Sequence, residues 1–424
     1  MKTILLFGAG KSASVLIKYL IKEAELNSWK FIVADANKAL IENKTNGSKF
    51  AEAVQLDITD DLAREKLIQR AHVVISMMPP ALHFLIAKDC VEWRKHLLTA
   101  SYLDDNMKSL RDEINHRKLL FLCEMGLDPG IDHMSAMKLI DGIKEQAGVI
   151  TSFKSHCGGL IAPESDNNPW HYKISWNPRN VVLAGNAGAR YLEAGEEKLL
   201  AYQALFDKAN TVKVPGLDAL AYYPNRDSLG YIPVYKLHDA KTFVRTTLRY
   251  PAFFEGWNAV VAAGLTSDND AIDATQLTFK RWSESILPLV NERNRKMLTY
   301  LGLFEDTAVP TGANSSADIL QYLLETKLAM APVDKDMIVM LHEFIYELNG
   351  EHKNLQSSLV VKGEDNIHTA MAKTVGLPLG IAAKLLLNGT LTLKGLHIPI
   401  LKEIYEPVLA ELEKEGIIFT ESLH

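Results

Sequence analysis

Over the first 125 residues, short apolar runs recur at regular intervals: Thr3–Phe7, Lys30–Ala34, Ala51–Leu56, His72–Ser76, His96–Thr99 and Leu119–Cys123. Amphipathic stretches with helical spacing separate them. A strand covered by helices on both faces reads as a continuous apolar run, so this rhythm predicts a doubly wound parallel sheet. Ligands of such sheets sit beyond the carboxyl ends of the strands. That directs attention to Gly8, Asp35, Asp57, Met77–Met78, Ala100–Tyr102 and Glu124–Asp128.

Beyond Gly130 the pattern predicts a helix from Ile131 to about Gln146, then a change of texture at Ile150. An apolar run leads into Cys157-Gly158-Gly159, Thr242–Leu248 suits a strand, and Phe253–Gly264 suits a helix. Residues 270–332 are mostly helical in pattern and read as a small insertion. Met337–Leu348, Asn349-Gly350 and Leu355–Val361 read as a β-hairpin, because Asn-Gly accepts the positive φ angles of a tight turn. Two more helices, Ala370–Leu387 and Leu401–Glu415, close the chain. The fold class is therefore α/β, with a Rossmann-type doubly wound parallel sheet, a second mixed α/β domain and a small helical insertion.

Composition narrows the function. The 424 residues carry 46 Lys+Arg and 52 Asp+Glu, a net charge of −6, so nothing advertises a nucleic-acid or anionic-membrane partner. No run approaches the roughly 18 consecutive apolar residues of a membrane span. The opening run is too short for a signal peptide, and a cytoplasmic location is expected. Three cysteines without CxxC spacing support neither a disulfide framework nor a metal site.

The strongest local motif is Gly8-Ala9-Gly10-Lys11-Ser12-Ala13, directly after the first strand and opening a helix, with Asp35 at the end of the second strand. This is a dinucleotide fingerprint: Gly8 permits the turn, Gly10 lets backbone amides approach a pyrophosphate, and the helix start favours its charge. Asp35 would accept the ribose hydroxyls and repel a 2′-phosphate, so NAD is expected rather than NADP. Capping of the next helix is its structural alternative. Asp128 is presented by a Gly126, Pro129-Gly130 turn, where a carboxylate can orient an amine or move a proton. Asp132 suits a cap, and His133 reads as a structural histidine. The glycines after Cys157 would let backbone approach a ligand, with Cys157 a pocket wall or a second proton-transfer candidate. Arg245 and Arg249, four apart on one strand, share a face, and clustered arginines suit a polycarboxylate or else a salt-bridged surface.

The runs at Ser155–Pro178, Thr99–Tyr102, Glu124–Met134, Tyr223–Ser228, Thr247–Tyr250 and Ala370–Pro378 resemble the saccharopine dehydrogenase family over nearly the whole chain. They are most similar to the NAD-dependent, glutamate-forming half of the animal bifunctional lysine-degradation enzyme. The resemblance implies a Rossmann domain of residues 1–125 completed by 366–424, a substrate and dimerisation domain of 126–269 and 333–365, and a helical subdomain of 270–332. It implies a homodimer that converts saccharopine, NAD and water to glutamate, 2-aminoadipate 6-semialdehyde and NADH. Cofactor positions carry over to Gly8, Ala9, Gly10, Asp35, Ile58, Met78, Ala100 and Asp128, with Lys11, Ser12 and Ser101 beside them; Lys11 stands where the family commonly has an aromatic residue. Substrate positions carry over to Ser101, Tyr102, Leu127, Asp128, Pro129, Arg226, Thr247, Leu248 and Arg249. The chemistry then casts Asp128, Cys157 and Tyr102 as catalytic candidates and Arg226 and Arg249 as carboxylate partners. The competing readings are a carboxynorspermidine or carboxyspermidine dehydrogenase, which reduces a similar imine with NADPH, and a nucleotide sensor without turnover.

Overall fold

The computed structural model describes residues 1–269 and 271–423. Asp270 and His424, which open the expected helical subdomain and close the C-terminal segment, lie outside the described residues. The chain forms two compact units, one of Met1–Gly142 with Ile367–Ile418, the other of Ile143–Asn366 with the residues from Phe419 on. The first unit thus takes in Gly126–Gly142, which the sequence reading puts in the second domain.

In the first unit, β1 (Thr3–Phe7), β2 (Lys30–Asp35), β3 (Ala51–Gln55), β4 (Val73–Ser76), β5 (His96–Thr99), β6 (Leu120–Leu122) and the much later β16 (Gly395–His397) form one sheet. Its order is β16-β6-β5-β4-β1-β2-β3, and every pairing is parallel. β1 lies between β2 and β4, so the chain order reverses there and a crevice opens beyond Phe7. The helix Ala370–Asn388 packs on the helix Ser14–Asn27 because Gly376 and Gly380 have no side chains. A Cβ on Gly376 would stand 2.9 Å from Leu16 Cβ, and one on Gly380 2.7 Å from Tyr19 Cδ1. Lys373 and Lys384 interrupt its apolar run in the sequence, yet as a 19-residue helix it is apolar enough to cross a membrane. With 78% of its apolar window buried, it serves here as a core helix.

The second unit is a ten-stranded mixed sheet. β7 (Val149–Ile161) runs through its middle, parallel to β13 (Thr242–Arg249) and antiparallel to β14 (Asp336–Leu348). β14 turns through Asn349 (φ 53°) and Gly350 (φ 81°) into β15 (Glu351–Lys362), the Asn-Gly hairpin that the sequence predicts. β10 (Asn210–Val212) and β11 (Leu220–Pro224) extend the far side of β13, while β8 (Ala189–Glu193), β9 (Glu196–Leu200) and β12 (Arg226–Asp227) form a flank. β17 (Thr420–Leu423) pairs with β15, so the last residues of the C-terminal segment join this sheet, not the Rossmann sheet. The helices Pro251–Ala262, Glu292–Leu301 and Ser316–Lys327 bury Trp257, Leu298 and Leu320 in one core with Trp170 and Phe206. The helical insertion therefore has no separate core; it completes that of the unit.

Gly158 corrects one expectation. A Cβ there would stand 2.6 Å from the Leu248 carbonyl, so the glycine admits the neighbouring β13 backbone, not a ligand.

Candidate active site

The turn after β1 is shaped for a pyrophosphate. Gly8 has φ +97°, and a Cβ there would lie 2.9 Å from the Met77 carbonyl at the end of β4. A Cβ on Gly10 would meet nothing within 4 Å, so the far side of the turn faces open space. Lys11–Ala13 form one tight helical turn that runs into the helix Ser14–Asn27, with no acidic residue in either first turn. The opening amides of a helix have no intrahelical acceptor, and the local dipole favours an anion. Ala9 and Ile58 are buried and Met78 half-buried along the same edge of the sheet.

Asp35 holds this loop in place. One carboxylate oxygen accepts the Ala9 N–H at 2.7 Å and the other the Asn37 N–H at 2.9 Å. The cap of the following helix is Asn37, whose side chain accepts the Leu40 N–H. Lys44 reaches across to the Gly10 carbonyl at 2.6 Å. Burial lowers its pKa to about 8, with the Asp35 charge acting the other way. Lys44 thus stands near a carboxylate already engaged by two amides.

Beyond β5 and β6 lies a buried polar cluster. Glu124 takes φ 57°, which turns its side chain back so that one oxygen accepts the Leu103 N–H at 3.0 Å and the other meets His133 Nε2 at 2.8 Å. Asp132 accepts the Gly130 N–H at 2.6 Å, and Gly130 itself takes φ +147°. His133 is fully buried, the satisfied structural histidine that the sequence suggests. These bonds fix the turn Met125–Gly130, which holds a cis Asp128-Pro129 peptide and brings the Asp128 carboxylate 3.5 Å from the Tyr102 hydroxyl. Leu127 is buried beside them, and Ala100 packs against Gly126, where a Cβ would lie 3.0 Å from Ala100 Cβ.

His83 is the residue that motif reading overlooks. Its Nδ1 lies 2.7 Å from Ser76 Oγ and its Nε2 2.7 Å from Ser101 Oγ, which ties the ends of β4 and β5 together. Burial lowers its pKa to about 4, so the ring is neutral and holds the Ser101 hydroxyl in one orientation. Its only signal in the sequence is a histidine one turn into a helix opened by Pro79-Pro80, at the carboxyl edge of the sheet.

The second unit, taken by itself, holds the arginines. Arg249 is 4% exposed, its guanidinium lies over Tyr172 and Phe253, and one N–H donates to the Leu248 carbonyl at 2.8 Å. Its Nε has no acceptor, and no carboxylate pairs with it among the described residues. Arg245, on the same strand face, is buried over Tyr231 at 4.5 Å. Arg226 is exposed at φ 54° on the β11–β13 connection. Cys157 is buried on β7 and forms no disulfide, in register with Thr247 on one side and Met340 on the other, which makes it an interior strand residue.

Residues 4–121 match the saccharopine dehydrogenase NADP binding domain, and residues 126–417 the saccharopine dehydrogenase C-terminal domain. The L-glutamate-forming, NADP(+) saccharopine dehydrogenase of Saccharomyces cerevisiae is 33% identical over 99% of both chains. The chain belongs to the saccharopine dehydrogenase family. The structure of the apo yeast enzyme superposes with a TM-score of 0.90 over 100% of both chains, at 32% identity. The mitochondrial alpha-aminoadipic semialdehyde synthase of Bos taurus is 36% identical over 99% of this chain, which spans 47% of that protein, about half its length.

Within the saccharopine dehydrogenase family the expectation of NAD does not stand. The matching nucleotide domain is described as NADP binding, and the fungal relatives are named as NADP(+) enzymes. The physical reason lies in Asp35. The argument for NAD supposes a carboxylate free to take both ribose hydroxyls; here it staples Ala9 and Asn37, and the Lys44 charge lies near it.

Proposed function

We propose that this chain catalyses the oxidation of saccharopine by NADP+ and water to L-glutamate and 2-aminoadipate 6-semialdehyde, a step of lysine metabolism. The observation that carries the substrate class is Arg249, a buried guanidinium in an aromatic setting with no carboxylate partner among the described residues. Buried charges are ordinarily paired, and a saccharopine carboxylate is the anion that completes this one. The open glycine turn and Lys44 near Asp35 suit the pyrophosphate and the 2′-phosphate of the cofactor. When bound, NADP+ supplies the acceptor for the hydride that leaves the carbon beside the secondary amine.

The chain's own groups do the rest. The amine must be neutral before its C–H bond can give up a hydride, and Asp128 is the group assigned to orient it and take its proton. Tyr102 steadies that carboxylate from 3.5 Å, and the neutral His83 holds Ser101 beside it. Water then adds to the imine and the carbinolamine collapses, with protons passing again through Asp128. In the second unit Arg249 and Arg226 take carboxylates next to Thr247 and Leu248, and in the first Leu127 and Pro129 flank Asp128 in the chain. Cys157, enclosed between two strands, is assigned as wall. The resemblance alone carries the homodimer.

The test is NADPH formation at 340 nm from saccharopine with NADP+, beside NAD+. Turnover with NADP+ is expected. Turnover with NAD+ alone would overturn the cofactor, and none with either would favour the polyamine-precursor dehydrogenase or the sensor. Asp128→Asn should abolish most of the rate with binding intact; a variant that transfers hydride almost normally would remove Asp128 from its role.

A further inference from the structure

At the opposite, amino-terminal edge of the seven-stranded sheet lies a cleft of about 510 Å³. Strands of this length put roughly 15 Å between it and the glycine turn. Its floor is apolar, made by Ala71, Leu386, Leu387 and Leu391, and its rim carries Lys2, His72, Arg94, Lys95, His96 and Lys394. No Asp or Glu lines it, in a chain whose acidic residues outnumber its basic ones.

Ordinary structural duties engage three of these six groups, and two of the three through one ring nitrogen only. Lys2 donates to the Leu387 carbonyl at the end of the helix Ala370–Asn388. The other cations, Arg94, Lys95 and Lys394, pair with no carboxylate among the described residues. Arg94 takes φ 54°, a conformation that favours glycine, where the helix Pro80–Glu92 ends, and so stands at the rim at some backbone cost. The two histidines are pre-set as donors. His72 Nδ1 accepts the Thr3 N–H at 3.1 Å and His96 Nδ1 the Leu120 N–H at 2.9 Å. An imidazole that accepts at Nδ1 carries its proton on Nε2, and neither Nε2 has a partner among the described residues.

We propose that this cleft is a second ligand site, which takes a nucleoside polyphosphate: the base lies on Leu386, Leu387 and Leu391, and the phosphates meet Arg94, Lys95, Lys394 and the histidine Nε2–H groups. An apolar floor with a carboxylate-free cationic rim is the complement of an amphipathic polyanion. The site is separate from the cofactor crevice and does not depend on the saccharopine reading.

The test is calorimetric titration of the whole protein with ATP, and with inorganic tripolyphosphate, in saturating NADPH so that the dinucleotide crevice is filled. One ATP per chain should bind, more tightly than tripolyphosphate, and Arg94→Glu with Lys394→Glu should weaken it at least about tenfold. The Tm and saccharopine turnover of the double variant report its fold, and Lys95→Gln gives a milder second variant. ATP binding that survives these substitutions, or that NADPH displaces, would overturn the proposal, as would silence up to millimolar ATP. Equal affinity for tripolyphosphate would overturn the role of the apolar floor.

Discussion

At the carboxyl edge of the seven-stranded sheet the buried polar groups answer one another. Glu124 meets His133 and the Leu103 amide, Asp132 the Gly130 amide, and His83 both Ser76 and Ser101. On β13 of the other unit, Arg249 is buried as deeply, yet it stacks on aromatic rings and keeps its Nε without an acceptor. The first region is complete once folded. The second is left electrostatically open by folding, and the difference separates a scaffold whose polar groups are satisfied from a guanidinium that keeps a donor unused.

If that contrast is right, substitutions in the two regions have opposite effects on stability. Glu124→Ala leaves His133 buried beside a cavity and should cost about 3–5 kcal/mol of unfolding free energy, read by urea denaturation. Arg249→Met should instead hold or raise the Tm, because it removes an unpaired buried charge, while kcat/KM for saccharopine falls about 100-fold, or ~3 kcal/mol. A loss of stability in Arg249→Met would place its missing partner within the folded chain and break the comparison.

Smaller effects sharpen it. Lys44→Ala should weaken NADP+ binding about tenfold, ~1.4 kcal/mol, and leave NAD+ affinity nearly unchanged. The smallest is a slope. The His83 pKa falls from 6.5 to about 4 on folding, so as pH drops through that window the unfolded imidazole binds its proton first and stability declines. His83→Gln should make that decline shallower by up to about one proton, as followed by chemical denaturation between about pH 6.5 and 4.

Much of the nucleotide unit was legible in the chain. Short apolar runs at a βαβ rhythm fit strands covered by helices, and the glycine motif and Asp35 fall at or just beyond the ends of such strands. The Asn349-Gly350 hairpin was legible because both residues accept the positive φ of a tight turn. The function of Asp35 was not, since whether a carboxylate is free for a ribose depends on the Ala9 and Asn37 amides, which no spacing reports. His83 was hidden because its partners lie 7 and 18 residues away, brought together only by the sheet. The Gly158 reading failed because sequence shows that a backbone approaches closely, but not which one.

The route of the chain has a consequence for biosynthesis. β6 lacks its outer neighbour β16, and the helix Ser14–Asn27 lacks the helix Ala370–Asn388, until the entire span from Ile143 to Asn366 has left the ribosome. At 5–20 residues per second that delay is roughly 10–50 s. For that time the nascent nucleotide unit displays a bare strand edge and an uncovered apolar face, a window of exposure to aggregation that chaperones exist to cover.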